Sequence, residues 1–270
     1  MAAVRRLAGM ALLNVHELGD PHGTPLLAVH GITAHGLRFR RLATEAWPER
    51  HTFAVDLRGH GRSLSDGPWS IPQHVRDLID TLDANGLDRV DVVGHSYGGA
   101  IGLALLAAAP DRVRRLVLLD PALQIPGDQA SENAMRTITD PGWASVEEAT
   151  VARNAGLGDE IHPAVVEDVA EHLVQGDDGR FRFRFHRPAV VTGWGEVCHP
   201  LPPAITPCPA LLVVADRAGL VAPHTIDGLR TLFGDRLQVE HLDCGHMLYW
   251  EDYAGTVAAV VPFLRAEPPA

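Results

Sequence analysis

The chain reads as an α/β protein, with a mostly parallel sheet flanked by helices and a helical cap inserted into it. Short apolar runs alternate with longer segments of helical periodicity. Several of those runs are apolar throughout, as parallel strands covered on both faces must be. The alternation stops between 124 and 205, where amphipathic pieces replace strands. At 270 residues, 46% hydrophobic and 21% charged, the chain has ordinary globular composition. It is long enough to bury a substantial core without disulfides or metals.

The strands are expected at 11–18, 25–32, 52–59, 89–96, 112–120, 209–216 and 237–243. A first helix spans 71–85, with Ile71, Val75, Leu78, Ile79 and Leu82 on one face and Asn85-Gly86 ending it. A second, Ala- and Leu-rich, covers 98–109 and stops before Pro110. Helices at 224–233 and 253–264 complete the core. Within the insertion, amphipathic helices fit 129–138, 145–155 and 163–175, with no strong strand. FRFRFH (181–186) has strand periodicity and reads as an Arg-decorated amphipathic segment, not a nucleic-acid stripe. The division is therefore a core of 1–123 and 206–270, with a cap over 124–205.

Composition excludes several functions. The net charge is −11, and no basic face offers itself to a nucleic-acid backbone. All 23 basic residues are Arg. Without Lys there is no P-loop chemistry, no pyridoxal-phosphate Schiff base and no lysine aldolase. Cys198, Cys208 and Cys244 form neither a disulfide framework nor a zinc pattern, so no metal is expected and a reducing cytoplasm is the expected compartment. The N-terminus resembles a leader, Arg5-Arg6 before an apolar run, but lacks an A-x-A cleavage signature and runs into the first strand. No apolar run approaches the ~18 residues of a membrane span.

The chemistry gathers at Gly94-His95-Ser96-Tyr97-Gly98-Gly99, which fits G-x-S-x-G. In that motif a sharp strand-to-helix turn exposes a serine above a parallel sheet, and small residues on either side avoid clashes. Three matched positions arise by chance in roughly one chain of ten. The context is what carries weight: an apolar strand ends at the motif and an Ala-rich helix starts after it. A serine hydroxyl needs an adjacent base. Among 15 His, His246 is the choice, because it follows the last strand at the sheet end where parallel α/β folds gather their sites. His95 adjoins the serine but should point away from it. His35 reads equally as a pocket residue or a solvated loop residue.

With these residues in place the chain resembles the α/β-hydrolase family along nearly its whole length. His30-Gly31 is similar to that family's oxyanion-loop signature, and Asp56 to Ser63 to its D-x-R-G-x-G-x-S run. Cys244-Gly245-His246 looks like the loop carrying the catalytic His, and the insertion falls where the family places its lid. The resemblance implies that the backbone N–H groups of Tyr97 and Ile32 form the oxyanion hole, and that His30, Asp56 and Arg58 brace the surrounding loops. It implies no cofactor.

The chain departs from the family at the triad acid. The position that most often holds it is Ala218. Two candidates remain, both following parallel strands: Asp120, before Pro121, and Asp216. Asp120 is preferred, since some family members carry the acid after that strand. Either keeps the chain order Ser, Asp, His.

The resemblance thus implies a serine hydrolase that cleaves a small-molecule carboxylic ester through an acyl-enzyme, with Ser96, His246 and Asp120 as the triad. Serine at the nucleophile position argues against haloalkane dehalogenases and epoxide hydrolases, which use a carboxylate there. Carbon–carbon bond hydrolases share the look of CGHMLYWED, but Met247 stands where they commonly have Trp. Lactonase, thioesterase and perhydrolase activities use the same triad, and a non-catalytic small-molecule receptor on this scaffold is the rival from another class. The cap reads as apolar and aromatic, with no obvious anion clamp.

Overall fold

A computed structural model describes residues 6–7 and 10–266, with side chains from Leu12 onward. The leader-like N-terminal stretch lies largely outside the described residues. Seven strands form the main sheet: β1 (Asn14–Gly19), β2 (Thr24–Val29), β3 (Arg50–Asp56), β4 (Val90–His95), β5 (Val113–Leu119), β8 (Ala210–Ala215) and β9 (Leu237–Leu242). Their order is β9-β8-β5-β4-β2-β3-β1, parallel throughout except that β1 runs antiparallel to β3. Each of the seven expected strands is present, within a few residues of its expected ends.

Strand alternation divides the core in two. Leu27, Val29, Leu116 and Leu118 face one side, packed with Val75, Leu78, Ile101, Leu105 and Phe233. Leu26, Ala28, Val117 and Leu119 face the other, against Phe39, Trp47, Val260 and Phe263. Helices α1 (Ile71–Ala84), α2 (Tyr97–Ala108) and α7 (Pro223–Phe233) therefore cover the first face, and α9 (Tyr253–Arg265) covers the second. Helix α2 has nine of its twelve residues buried, which explains its apolar composition on every side.

Between β5 and β8 the chain leaves the sheet and forms α3 (Gly127–Thr139), α4 (Val146–Asn154), α5 (Pro163–His172) and α6 (Arg187–Glu196). The structure corrects the sequence reading here. The third amphipathic piece stops at His172, and a hairpin follows: β6 (Leu173–Gln175) pairs antiparallel with β7 (Phe181–Phe183). Strands of three residues are too short to register as apolar runs. The FRFRFH periodicity was nonetheless strand-like for a physical reason. Phe183 is buried, while Arg182 turns outward to pair with Asp178 at 2.7 Å. A short α8 (Leu248–Glu251) follows β9.

Candidate active site

Ser96 stands between β4 and α2 with φ 55° and ψ −119°. A non-glycine residue at positive φ is held there only by its surroundings. The neighbours show how. A Cβ on Gly94 would come within 2.3 Å of the Gly98 carbonyl oxygen, and one on Gly98 within 2.0 Å of the Val29 oxygen. No larger residue fits either position, so the turn can tighten until the serine projects from the sheet end. The Ser96 N–H donates to the Leu119 carbonyl at 3.0 Å, and its own carbonyl accepts from Ala122 at 3.0 Å. The elbow is thereby tied to the loop after β5.

That loop holds Asp120, which is fully buried. Its Oδ2 accepts from His246 Nδ1 at 2.6 Å, and its Oδ1 accepts from the Ala215 N–H at 3.2 Å. An ionised carboxylate only accepts, so Nδ1 carries the imidazole proton and Nε2 is left with its lone pair. His246 is positioned by groups the sequence did not single out. Glu251 accepts from the N–H groups of Gly245 (2.8 Å) and Met247 (3.3 Å), pinning the backbone on both sides of it. His95 donates through Nε2 to the His246 carbonyl at 2.9 Å, and the two rings lie 4.7 Å apart. Ser96 and His246 are not hydrogen-bonded to each other, and the serine side chain makes no capping bond to its helix. Asp216 takes no part: it pairs with His241 at 2.7 Å, both half exposed.

Ile32 and Tyr97 each present a backbone N–H that donates to no backbone acceptor among the described residues. For Tyr97 this follows from its place as the first residue of α2, where N–H groups have no intrahelical partner. Gly193 of α6 lies over both: an added Cβ would meet Ile32 Cδ1 at 2.9 Å and Tyr97 Cε1 at 3.5 Å. His30 fixes the Ile32 loop, with Nδ1 donating to the Gly31 carbonyl at 2.7 Å and Nε2 accepting from Leu57 at 2.9 Å. Asp56 accepts from the N–H groups of Gly36 (2.8 Å) and Arg62 (2.9 Å), and Arg58 forks onto Asp77 with two bonds of 2.6 Å.

Buried imidazoles surround this end of the sheet. Burial holds His30, His35, His95 and His172 below their usual range, His60 down to about 4 and His74 down to about 3. His74 meets the Tyr97 ring edge-on at 5.6 Å, and neither His74 nitrogen nor the Tyr97 hydroxyl has a hydrogen-bond partner among the described residues.

One open alternative is decided and one expectation needs correction. His35 takes the pocket reading, lining a cavity. His35 is neither solvated nor free: it is buried and its Nε2 donates to Asp168 at 2.9 Å. The segment 124–205 is also not purely apolar and aromatic where it meets the sheet. Arg153 of α4 reaches inward to Asp168 (2.7 Å) and to the Thr33 carbonyl (3.0 Å), and Arg38 of the core forks onto the same Asp168. Arg38 lies 130 positions from Asp168 and Arg153 lies 120 from Thr33, so no local pattern announces the cluster. Cys198, Cys208 and Cys244 are unpaired thiols, and no helix among the described residues is long and apolar enough to cross a membrane.

Comparison with known proteins bears on the fold. A family model for the alpha/beta hydrolase fold matches residues 24–165. The chain is 36% identical to the lipase LipV of Mycobacterium tuberculosis over 239 residues, covering 87% of this chain and 91% of that one. It is 30% identical to the N-formylmaleamate deformylase of Pseudomonas putida over 250 residues, covering 90% and 89%. Among solved structures, E-2-(acetamidomethylene)succinate hydrolase shares the fold with a TM-score of 0.82 at 24% identity, over 94% of this chain and 95% of that one.

Proposed function

The chain belongs to the alpha/beta hydrolase fold family, and from that premise we propose that it is a serine hydrolase cleaving small-molecule carboxylic esters through an acyl-enzyme. The observation that carries the reading is the 2.6 Å bond between Asp120 and His246, made at the sheet end where the Ser96 elbow projects. Ser96 Oγ attacks the ester carbonyl while His246 Nε2 takes its proton. Asp120 keeps the imidazole in the required tautomer and stabilises the imidazolium. The Ile32 and Tyr97 N–H groups, unspent in the free protein, receive the oxyanion. Collapse of the tetrahedral intermediate breaks the carbonyl–alkoxy bond, and His246 returns the proton to the leaving alcohol. Water, deprotonated by the same nitrogen, then attacks the acyl-Ser96 carbonyl and frees the acid.

The segment 124–205 acts as the cap, a role supported by the contact of Gly193 with Ile32 and Tyr97. Three unpaired thiols favour a reducing, cytoplasmic setting. A fluorophosphonate probe with peptide mapping tests the chemistry, together with a panel of acyl esters of varied chain length. Labelling at Ser96 and ester turnover are expected. Labelling elsewhere misplaces the nucleophile, and no labelling with no turnover refutes the reading and leaves a non-catalytic binding protein.

A further inference from the structure

Arg38, Arg153 and Arg217 line a cavity of about 360 Å³ whose wall includes His246. Arg38 and Arg153 have side-chain exposures of 5% and 17%, and both lean on one carboxylate, Asp168. That carboxylate is saturated. Its Oδ1 accepts from Arg38 Nε (2.6 Å) and His35 Nε2 (2.9 Å), and its Oδ2 from Arg38 Nη2 (2.9 Å) and Arg153 Nε (2.7 Å). Arg153 Nη2 is spent on the Thr33 carbonyl. The Nη1 group of each arginine has no hydrogen-bond partner among the described residues, and the guanidiniums lie over the Trp250 ring (5.0 Å, Arg38) and the Phe183 ring (4.1 Å, Arg153). The other carboxylate in the cavity wall, Glu251, accepts from the Gly245 and Met247 N–H groups and lies 3.6 Å from Arg217, whose charge it balances. His35 and His172, stacked at 4.5 Å beside the cluster, are pushed below their usual range by burial, which disfavours adding further positive charge there.

Two part-buried guanidiniums therefore face one buried carboxylate, keep donors to spare and share a cavity wall with His246. An uncompensated buried charge is costly, and forked guanidinium donors suit a second carboxylate. Burial and the neighbouring Arg38 charge pull Arg153 down to about 10, whereas Asp168 holds Arg38 above its usual value, so Arg153 is the less compensated of the two. Arg217, 61% exposed, stands at the rim and is itself paired with Asp243 (3.5 Å) and Glu251 (3.6 Å), so it adds no unpaired charge. We propose that this cavity binds a free carboxylate of the substrate, so that the preferred ester carries an anionic group received by Arg153 and Arg38 while its carbonyl sits at Ser96. The proposal rests on the serine-hydrolase reading and adds the substrate class to it.

The test compares kcat/KM for monoethyl succinate, glutarate and adipate with ethyl butyrate, pentanoate and hexanoate, followed by acid release. Acetyl esters of glycolate and 3-hydroxypropanoate against ethyl acetate place the charge on the alcohol side. At least one anionic ester should exceed its neutral counterpart about tenfold, as one well-placed charged hydrogen-bond pair allows. Arg153→Gln should bring that ratio close to one, and Arg153→Lys should restore part of it. Should Arg153→Gln fail to fold, the wild type still decides: free glutarate should compete with a neutral ester at fixed ionic strength, and glutaramide should not. Neutral esters cleaved as well as anionic ones at every length, or no competition by any dicarboxylate, overturns the proposal while leaving the hydrolase reading intact. Turnover of neither series, with no probe labelling at Ser96, removes both.

Discussion

Asp120 and Asp216 follow neighbouring parallel strands at the same end of the sheet, yet their surroundings share almost nothing. Asp120 is fully buried and gives one oxygen to His246 and the other to the Ala215 N–H. Asp216 is half exposed and holds only His241, itself half exposed on the edge strand β9. A buried carboxylate must be satisfied from every side, so its partner is fixed in place. An exposed pair is screened by water and contributes between nothing and about 1 kcal/mol. The comparison teaches that the type of residue ending a strand says little. What lies over it decides whether it can orient a base.

The largest effect tests the premise that His246 serves Ser96 at all. Ser96→Ala should lower ester turnover by about 10⁴-fold or more while leaving the fold intact, since only a hydroxyl is lost. Circular dichroism and steady-state kinetics check both halves. Asp120→Asn comes next. It keeps the shape but favours the wrong imidazole tautomer, and should cost about 10² to 10⁴ in kcat. If Asp216→Asn proved the more damaging of the two, the distinction drawn above would collapse.

Burial, the property that separates the two aspartates, also sets the response to acid. Six imidazoles near the site have folded-state values lowered by burial, two of them to about 4 and about 3. An unfolded chain protonates His near 6.5. Above that pH neither state takes up these protons, and stability is full. Below it the unfolded chain binds protons that the folded one refuses, so stability falls with pH down to the folded values. Each group contributes roughly 1.4 kcal/mol per pH unit in that window. The melting temperature should drop by about 10 °C or more between pH 7 and 5.5. A flat profile would mean these rings charge without unfolding.

The smallest effect is expected at the exposed aspartate. Asp216→Asn should change kcat/KM less than about twofold and stability by less than about 0.5 kcal/mol. Calorimetry and kinetics on the same preparation measure it.

Much of this arrangement was legible in the chain itself. The strands were readable because apolar runs such as 210–215 leave no other way to be buried. Ser96 was readable because glycine on either side of it has one structural use. The preference for Asp120 came from resemblance alone, since both candidates keep the same chain order. The burial that separates it from Asp216 came only with the fold. What stayed hidden depends on distant residues meeting. Arg38, Arg153 and Asp168 converge from the loop after β2, from α4 and from α5. Glu251 shows its role only once α8 folds back on the loop holding His246. The hairpin of β6 and β7 was obscured by its brevity.

The tight turn at Ser96 is one of a set. Among the described residues four non-glycine positions have positive φ: Thr33, Ser96, Asp120 and Gln124. All four stand in loops just beyond the carboxyl ends of β2, β4 and β5. Each such conformation costs on the order of 1–3 kcal/mol, and the rest of the fold must supply it. The reactive end of the sheet is thus its least relaxed part, and selection for thermostability alone would erode it first. A glycine at any of the four positions should relax the backbone, raising the melting temperature relative to alanine at the same site. Evolving this protein for heat resistance therefore requires that these four backbones be exempted, with stability sought in the helices behind the sheet.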